Sequence, residues 1–561
     1  MCEAFTGLSF LLLLGAPAFG QVEKAWDAHY DSPYSAGDFD DHDWAYDIAV
    51  DDFGNSYVTG WSAGRWFPST WEHDFLTIKY DPQGNEVWVG RYGGTEHDGA
   101  YAIALDREAN VYVTGFMEGY SNDYLTVKYD TDGNELWAAT WQGQTDNDMA
   151  NAIAVDDLGN VYVTGRSESF GTHSDYLTIK YDTNGTELWV ARYDGPGGIP
   201  DEDIPYDIVV DSHGNVYVTG WSKGIGTGHD YLTIKYDTDG NELWVARYDG
   251  PYSGLDEAIA VAVDTSGIFV TGTAQIGYNN TQYATLKYDT DGNELWAAYS
   301  GFRGQASALG LSDVGNVYIT GLRYENARDY ATIAYDENGN ELWSAFYDAA
   351  GELDEANDIA VDIDGSVTVT GWSELEEWYF YKDILTVKYD TNGNELWTQR
   401  YNGADWGDEA NAIALDREGN VYVTGWSDME YSNVFTTIKY VPTVSLGLTG
   451  ITPVVAQGGT VGYQVSIANN TSESQDIWAW IKEKLPTGEW AEDYLLPPTN
   501  LNLVPDQEGT YTLRTPIPLS ALLGPHEYWG YIGADTSAVW DCDMFPFSVY
   551  SRRHHREVKE K

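Results

Sequence analysis

A tripeptide, Val-Thr-Gly or Ile-Thr-Gly, returns eight times along the chain, with its glycine at Gly60, Gly115, Gly165, Gly220, Gly272, Gly321, Gly371 and Gly425. The spacing is about 50 residues, and self-similarity at such a period restricts a chain to solenoids, propellers or arrays. Each unit reads AIAVD-xxGN-VYVTG, a loop of variable length, then DYLTIKYD-TDGN-ELWVARY. Within residues 232–237, Leu232, Ile234 and Tyr236 fall on one face while Thr233 and Lys235 fall on the other, the period-two alternation of a strand. Asp-x-x-Gly-Asn segments such as residues 237–241 supply hairpin turns, with glycine at the φ > 0 position that other residues resist. Two hairpins per unit make a four-stranded meander. A sheet of that size cannot bury both faces alone, so units must stack on one another, and radial stacking of four-stranded units gives a β-propeller.

The ends of the array predict how the ring closes. The last unit stops at residues 435–440, FTTIKY, with no ELW strand after it, whereas residues 24–30, KAWDAHY, match ELWVARY in spacing and precede the first unit. The N-terminal strand is therefore expected to complete the last blade. Trp26, Trp88, Trp137, Trp189, Trp244, Trp296, Trp343 and Trp397 give eight outer-strand tryptophans for eight Val/Ile-Thr-Gly units, hence eight blades. After Val441-Pro442 the period ends, and residues 444–548 show short β-rich runs between Gly, Pro, Asn and Asp turns, the pattern of a small β-sandwich. The expected organisation is a signal peptide over residues 1–20, an eight-bladed propeller over 21–441, an immunoglobulin-like sandwich over 442–549 and a charged, disordered tail over 550–561. An abundance of aromatics, with 23 Trp and 43 Tyr against 5 Met, agrees with an all-β class.

AIAVDDLGNVYVTG, residues 152–165, resembles the bacterial cell-surface repeat called the SBBP, or β-propeller, repeat, and the resemblance covers residues 22–441. The pairing of VYVTG with a later YDTDGNELW is similar to the tryptophan-docking repeat of quinoprotein-type propellers, in which a Trp ring ties each blade to the next. Both resemblances imply a propeller and neither implies a reaction, because propellers host many unrelated functions. The C-terminal segment resembles the immunoglobulin-like modules that end many bacterial surface proteins, in architecture only, since it lacks a cysteine pair.

Charge and composition remove several function classes. A formal net charge of −60, from 89 Asp plus Glu against 29 Lys plus Arg, repels a phosphate backbone, so nucleic acid is not an expected partner. Residues 9–15, SFLLLLG, followed by small residues up to Gly20, read as a secretory signal, too short to span a bilayer. With that segment removed only Cys542 remains of two cysteines, so no disulfide or thiolate metal cluster is expected. No H-E-x-x-H is present, and no nucleophile elbow, phosphate loop or dinucleotide fingerprint appears in a strand-to-helix context. The vicinal cysteines expected of a quinoprotein dehydrogenase are absent too.

In a propeller the first strand of each blade lines the channel, and the connections between blades share one face, here called the top, with the variable loops after VYVTG. Seven acids, Asp43, Asp98, Asp148, Asp203, Asp256, Asp354 and Asp408, stand at one repeat position near the channel mouth, with Gly304 in the sixth unit. Two readings stand: each carboxylate caps its own loop by bonding backbone N–H groups, or together they hold a shared cation, with Ca²⁺ the candidate. A second acid opens the third strand at Asp74, Asp123, Asp175, Asp230, Asp329 and Asp383 and is expected to fix the loop end. Lysines at Lys79, Lys128, Lys180, Lys235, Lys287, Lys388 and Lys439, interrupted by Ala334, are expected to make structural ion pairs between strands.

Two aromatic-rich top loops break the symmetry. They span residues 61–71 and 372–381, contain Trp61, Trp66, Trp71, Trp372, Trp378 and Tyr379, and suit stacking on sugar rings or protein surface. The leading expectation is a secreted or cell-surface, non-catalytic binding scaffold whose top face meets a polysaccharide or an extracellular protein. The alternatives are a carbohydrate-active lyase or hydrolase using top-face carboxylates about 5–9 Å apart, and a purely structural envelope protein.

Overall fold

The computed structural model describes residues 22–32, 42–64, 72–93, 96–119, 121–143, 147–169, 173–196, 202–325, 327–348, 353–374, 382–403, 407–429 and 432–442, and beyond them the backbone of the strands between 444 and 550. The expected signal segment, the charged tail, and Trp66, Trp71, Trp378 and Tyr379 lie outside the described residues. One compact unit spans Lys24–Val441. It contains eight four-stranded antiparallel sheets, seven of them formed from four consecutive strands. In the eighth, Val22–Tyr30 pairs with Ser432–Pro442, followed inward by Val421–Met429 and Asp408–Leu415, so the N-terminal strand closes the ring as expected. Each first strand approaches the first strands of both neighbouring blades, and Trp44–Val50 of blade one meets Asp408–Leu415 of blade eight. The first strands therefore encircle the axis.

The repeated tripeptide has a steric origin. Every first strand carries a one-residue irregularity opposite the second strand, for example between Ala45 and Asp47 and between Pro205 and Asp207. Such a bulge presses a first-strand carbonyl onto the Val/Ile-Thr-Gly glycine: a Cβ at Gly60 would lie 1.9 Å from the Trp44 oxygen, and one at Gly220 would lie 2.1 Å from that of Ile204. Only glycine fits. The threonine before it is fully buried and its hydroxyl meets a threonine of the third strand, as in Thr219 with Thr233 at 3.0 Å, so each buried hydroxyl is satisfied inside the blade.

The hydrophobic core sits between sheets. Ala152, Tyr162 and Tyr176 of blade three, for instance, pack against Ile208, Val218, Leu232 and Ile234 of blade four. At the rim a polar dock repeats this union. The indole N–H of each outer-strand Trp donates to a carbonyl in the turn of the following blade: Trp88 to Thr131, Trp137 to Thr183, Trp189 to Thr238, Trp244 to Thr290, Trp296 to Glu337 and Trp343 to Thr391, at 3.0–3.2 Å. Trp26 does the same to Pro82 across the closure, at 3.0 Å. The Trp face also covers the turn glycine; a Cβ at Gly240 would fall 2.6 Å from Trp189.

The recurrent lysines do not act as expected. Lys79, Lys180, Lys235 and Lys287 donate to the same turn carbonyls of the next blade at 2.9–3.1 Å, and each lies over an aromatic ring of its own blade, as Lys79 does over Tyr57 at 5.0 Å. Ion pairs form only at Lys128 with Asp106 (3.8 Å) and Lys388 with Asp362 (2.8 Å) among the described lysines of this series. The second-strand aromatic and the next blade's carbonyl together solvate the ammonium where a carboxylate was expected.

The second unit, from Pro442 onward, contains two sheets. One has the order Val444–Gly450, Thr460–Asn469, Glu508–Pro516, and the other Val454–Ala456, Ala538–Tyr550, Gly524–Asp535, Gln475–Lys484, Leu496–Leu503. Neighbours are antiparallel except Val454–Ala456, which joins Ala538–Tyr550 in parallel. No helix among the described residues is long and apolar enough to cross a membrane.

Candidate ligand-binding mouth of the channel

The bulge that demands glycine also redirects a side chain. In each first strand the extra, unpaired residue is Tyr46, Tyr101, Asn151, Tyr206, Ile259, Ser307, Asn357 or Asn411, and bulges commonly re-aim side chains in this way. Three of the asparagines tie blades together, Asn151 to the Pro205 carbonyl, Asn357 to that of Ala410 and Asn411 to that of Ala45, at 2.7–2.8 Å. The tyrosines instead join a continuous aromatic crescent. Trp44 stacks on Trp426 at 5.9 Å and approaches Trp61 at 5.3 Å; Tyr46 meets Tyr101 edge-on at 5.5 Å, and Tyr101 meets Phe116 at 5.6 Å. The Trp61 indole donates to the Tyr46 hydroxyl at 3.0 Å and the Trp221 indole to Tyr206 at 3.3 Å. Trp44, Tyr46, Trp61, Tyr101, Phe116 and Trp426 all keep part of their surface exposed.

Across the ring the same positions are acidic. Glu257, Glu355 and Glu409 each bond a basic side chain of the preceding blade: His229 at 2.8 Å, Arg328 at 3.2 Å and Lys382 at 3.0 Å. Burial holds Glu355 above the usual carboxylate range, opposed by Arg328 and assisted by Glu409. Tyr46 is likewise pushed up by burial and by Glu409, which places that carboxylate beside the aromatic crescent. Of the aromatic residues expected to bind ligand, Trp61 lies in the crescent. Trp372 is buried beneath the Lys382 ammonium at 3.7 Å, and Lys382 reaches on to Glu409, whose strand partner is Trp426.

The seven recurrent acids are buried, and six of them accept backbone N–H groups. Asp43 accepts from Ser32 and Ala63 N–H at 2.8 and 2.9 Å, Asp256 from Gly250 and Gln275 at 2.9 and 2.8 Å, and Asp203 from Gly195 at 2.6 Å. Asp98, Asp148 and Asp408 accept from Glu118, Gly143 and Gly403, and Asp354 is fully buried. Asp43, Asp203 and Asp256 thus splice the incoming connection to the second strand. Two of them join acids of the preceding blade: carboxylate oxygens of Asp175, Asp194 and Asp203, and of Asp230, Asp249 and Asp256, lie within 4.8 Å of one another. Burial and the neighbouring Asp249 and Asp230 push Asp256 up to about 6 against its two N–H bonds. The acids that open the third strand hold outer-strand arginines, with Asp74, Asp175, Asp230 and Asp383 facing Arg91, Arg192, Arg247 and Arg400 at 2.6–3.1 Å.

Three further acids went unmarked in the sequence reading. Asp47, Asp207 and Asp358 follow the bulge in blades one, four and seven, where the other five blades carry alanine. Each accepts its successor's N–H and one from the next blade, Ile103, Val261 and Ile413, at 2.8–2.9 Å. Part of each residue's surface stays accessible, yet its carboxyl is enclosed by the ring of first strands; burial pushes Asp47 up to about 7 and Asp207 and Asp358 up to about 6, and the three repel one another across the axis. The signal was there as a departure from Ala at one repeat position. A pair of histidines was also missed: His73, which opens the third strand of blade one, and His97, just before the first strand of blade two, touch through their Nδ1 atoms at 3.0 Å.

A family model described as a β-propeller repeat, SBBP, matches residues 37–65, 142–170, 197–226 and 396–430. An uncharacterized WD repeat-containing protein of Acanthamoeba polyphaga mimivirus is 27% identical over 190 residues, covering 25% of this chain and only 14% of that relative's length. Among solved structures, a Synechocystis apocarotenoid oxygenase mutant shares 11% identity at a TM-score of 0.35, covering 68% of this chain and 94% of that one. A Bacteroides caccae protein of unknown function shares 12% at 0.30, covering 52% and 93%. At these scores neither likeness informs function. The four matched segments, and four more blades built on the same Val/Ile-Thr-Gly bulge, show an eight-bladed propeller that carries SBBP-type β-propeller repeats.

Proposed function

We propose that the protein is a secreted or cell-surface, non-catalytic binding scaffold whose channel mouth takes a polysaccharide. The observation that carries this reading is the one-sided crescent of Trp44, Tyr46, Trp61, Tyr101, Phe116 and Trp426. Pyranose rings present apolar faces that stack on aromatic side chains, and their hydroxyls need the amides and carboxylates that complete the ring. The apolar run at residues 9–15 supports export, and the two-sheet strand order of the C-terminal unit supports an immunoglobulin-like accessory module. Calorimetric titration of neutral and acidic oligosaccharides into the full chain tests the reading. Trp61→Ala and Trp426→Ala are expected to weaken binding at least about tenfold, the loss of one stacked ring, whereas Trp189→Phe at the rim leaves it unchanged. Binding untouched by either mouth substitution sinks the proposal.

A carbohydrate-active lyase or hydrolase is the second reading, favoured by the raised carboxyl of Glu355 and its neighbour Glu409. New reducing or unsaturated ends released from a bound glycan, and lost in Glu355→Gln, would replace the scaffold reading with this one. Ca²⁺ is the cofactor we propose, at the two three-carboxylate clusters within 4.8 Å. A rise in melting temperature with Ca²⁺ after EDTA treatment, at matched ionic strength and reduced in Asp249→Asn, supports it; the same rise with any salt does not.

A further inference from the structure

One position breaks the repeat in charge as well as in shape. After Val/Ile-Thr-Gly the blades carry Trp61, Phe116, Arg166, Trp221, Thr273, Leu322, Trp372 and Trp426, so blade three alone places a cation there. Two other cations of the mouth are engaged, Arg328 by Glu355 and Lys382 by Glu409, and His229 bonds Glu257. Arg166 differs. Its guanidinium donates to the Met149 sulfur at 2.8 Å, a weak acceptor, and it makes no ion pair among the described residues. In a chain with 89 acids against 29 bases, a partly covered arginine that meets no carboxylate among the described residues is an unfilled electrostatic demand.

Arg166 lines a cavity of about 370 Å³ with Tyr101, Met149, Asn151, Ile204 and Tyr206. That volume lies within the range of small-ligand sites and holds about one or two sugar rings. Its walls come from three consecutive blades, and three of its members, Tyr101, Asn151 and Tyr206, are bulge residues. Asn151 points its Nδ2 at the Pro205 carbonyl, which leaves its Oδ1 to accept from a ligand. The Tyr206 hydroxyl already accepts from Trp221 and so has its own proton to give. The cavity adjoins the aromatic crescent through Tyr101, which contacts both Tyr46 and Phe116.

We propose that this cavity is a carboxylate subsite in which Arg166 receives the carboxylate of a single uronic acid residue carried by an otherwise neutral saccharide. The inference rests on the saccharide reading above. A planar guanidinium matches a carboxylate through two parallel N–H bonds, and the tyrosine rings offer faces for the sugar. The net charge of −60 repels a continuous polyuronate, so one isolated carboxylate suits the site better than a polyanion.

The test compares a glucuronic acid residue on xylotriose with xylotetraose, by calorimetry on the full chain, for the native protein, Arg166→Leu and Arg166→Lys. The native chain is expected to prefer the acidic sugar about tenfold, the value of one good charge-assisted pair. Arg166→Leu, which installs the blade-six residue type, abolishes the preference with melting temperature unchanged, and Arg166→Lys keeps part of it. Xylotetraose bound as well as the acidic sugar by the native chain overturns the subsite and leaves the saccharide reading standing. Failure of the native chain to bind any saccharide, neutral or acidic, overturns both. A preference that survives in Arg166→Leu overturns the assignment to this arginine.

Discussion

Ala109 occupies a turn position that asks for glycine. Its φ is 58°, whereas the matching residues Gly54, Gly159, Gly214, Gly315, Gly365 and Gly419 take 74–82°. An L residue with a Cβ costs about 1 kcal/mol in the left-handed region, partly offset by the greater chain entropy that glycine loses on folding. Ala109→Gly is expected to stabilise the protein by about 0.5–1 kcal/mol, read as a shift of the denaturation midpoint at constant slope. A lower midpoint would mean the turn is not under strain. Glycine matters for the opposite reason at Gly220, where φ is ordinary but the Ile204 carbonyl leaves no room for Cβ.

At the scale of the element, the Trp dock is what turns a four-stranded meander into a blade of a ring. Trp189 and Lys180 converge on one carbonyl, that of Thr238, so the turn of each blade is held by the blade before it. Trp189→Phe keeps the ring but loses the indole donor, and is expected to cost about 0.5–1.5 kcal/mol because the Thr238 carbonyl loses one of two donors. Trp397 offers a control. The blade after it is closed by Val22–Tyr30 and so has no turn between its third and outer strands, and Trp397 packs against Tyr440 at 6.2 Å instead. Trp397→Phe is expected to cost less than Trp189→Phe in the same denaturation experiment; equal losses would show that the hydrogen bond contributes little beside the ring.

At the scale of the whole molecule, closure and the axial acids set stability. Deleting residues 22–30 leaves blade eight with three strands and removes Trp26 from the Pro82 carbonyl. The shortened chain is expected to melt less cooperatively and to be cut by protease near residues 432–442, with recovery on adding a peptide of residues 22–30; a native-like melt without the strand would refute ring closure as a source of stability. The aspartates Asp47, Asp207 and Asp358 are raised to about 7, 6 and 6, above their ordinary value. The folded state therefore binds their protons more tightly than the unfolded one. Their contribution is complete below about pH 4 and is lost as pH rises through about 6 to 7. His73 works in the other direction: burial and the neighbouring His97 lower it to about 4, so its share is lost as pH falls from about 6.5 toward 4. Replacing all three aspartates by alanine, the residue of the other five blades, is expected to flatten the fall in melting temperature between about pH 5 and 8, at the cost of three cross-blade bonds. An unchanged slope would show that these carboxyls do not titrate there.

The eight blades, their four-strand composition, the turns and the closing strand were all legible in the chain, because each depends on a local rule repeated eight times: alternation for strands, Asp-x-x-Gly-Asn for hairpins, a missing ELW at one end and a spare one at the other. A repeated residue averages out accidents of context. The roles of those repeats were less legible. Lysine every blade suggested ion pairs, but the partner is a carbonyl in the next blade, a contact that exists only once sheets are stacked. Likewise the mouth is built from positions where the repeat fails: Tyr46, Tyr101 and Tyr206 at the bulge, Arg166 after the tripeptide, and Asp47, Asp207 and Asp358 in place of alanine. Their departures can be seen in the sequence, yet their convergence cannot, since they lie some 50 residues apart and meet only because the ring brings first strands to one axis. The sequence by itself determined the repeated sheet and its closure, through short-range sterics and periodicity. The tertiary structure alone decided which variable side chains share a cavity, because proximity across blades is a property of the closed ring and of no local segment.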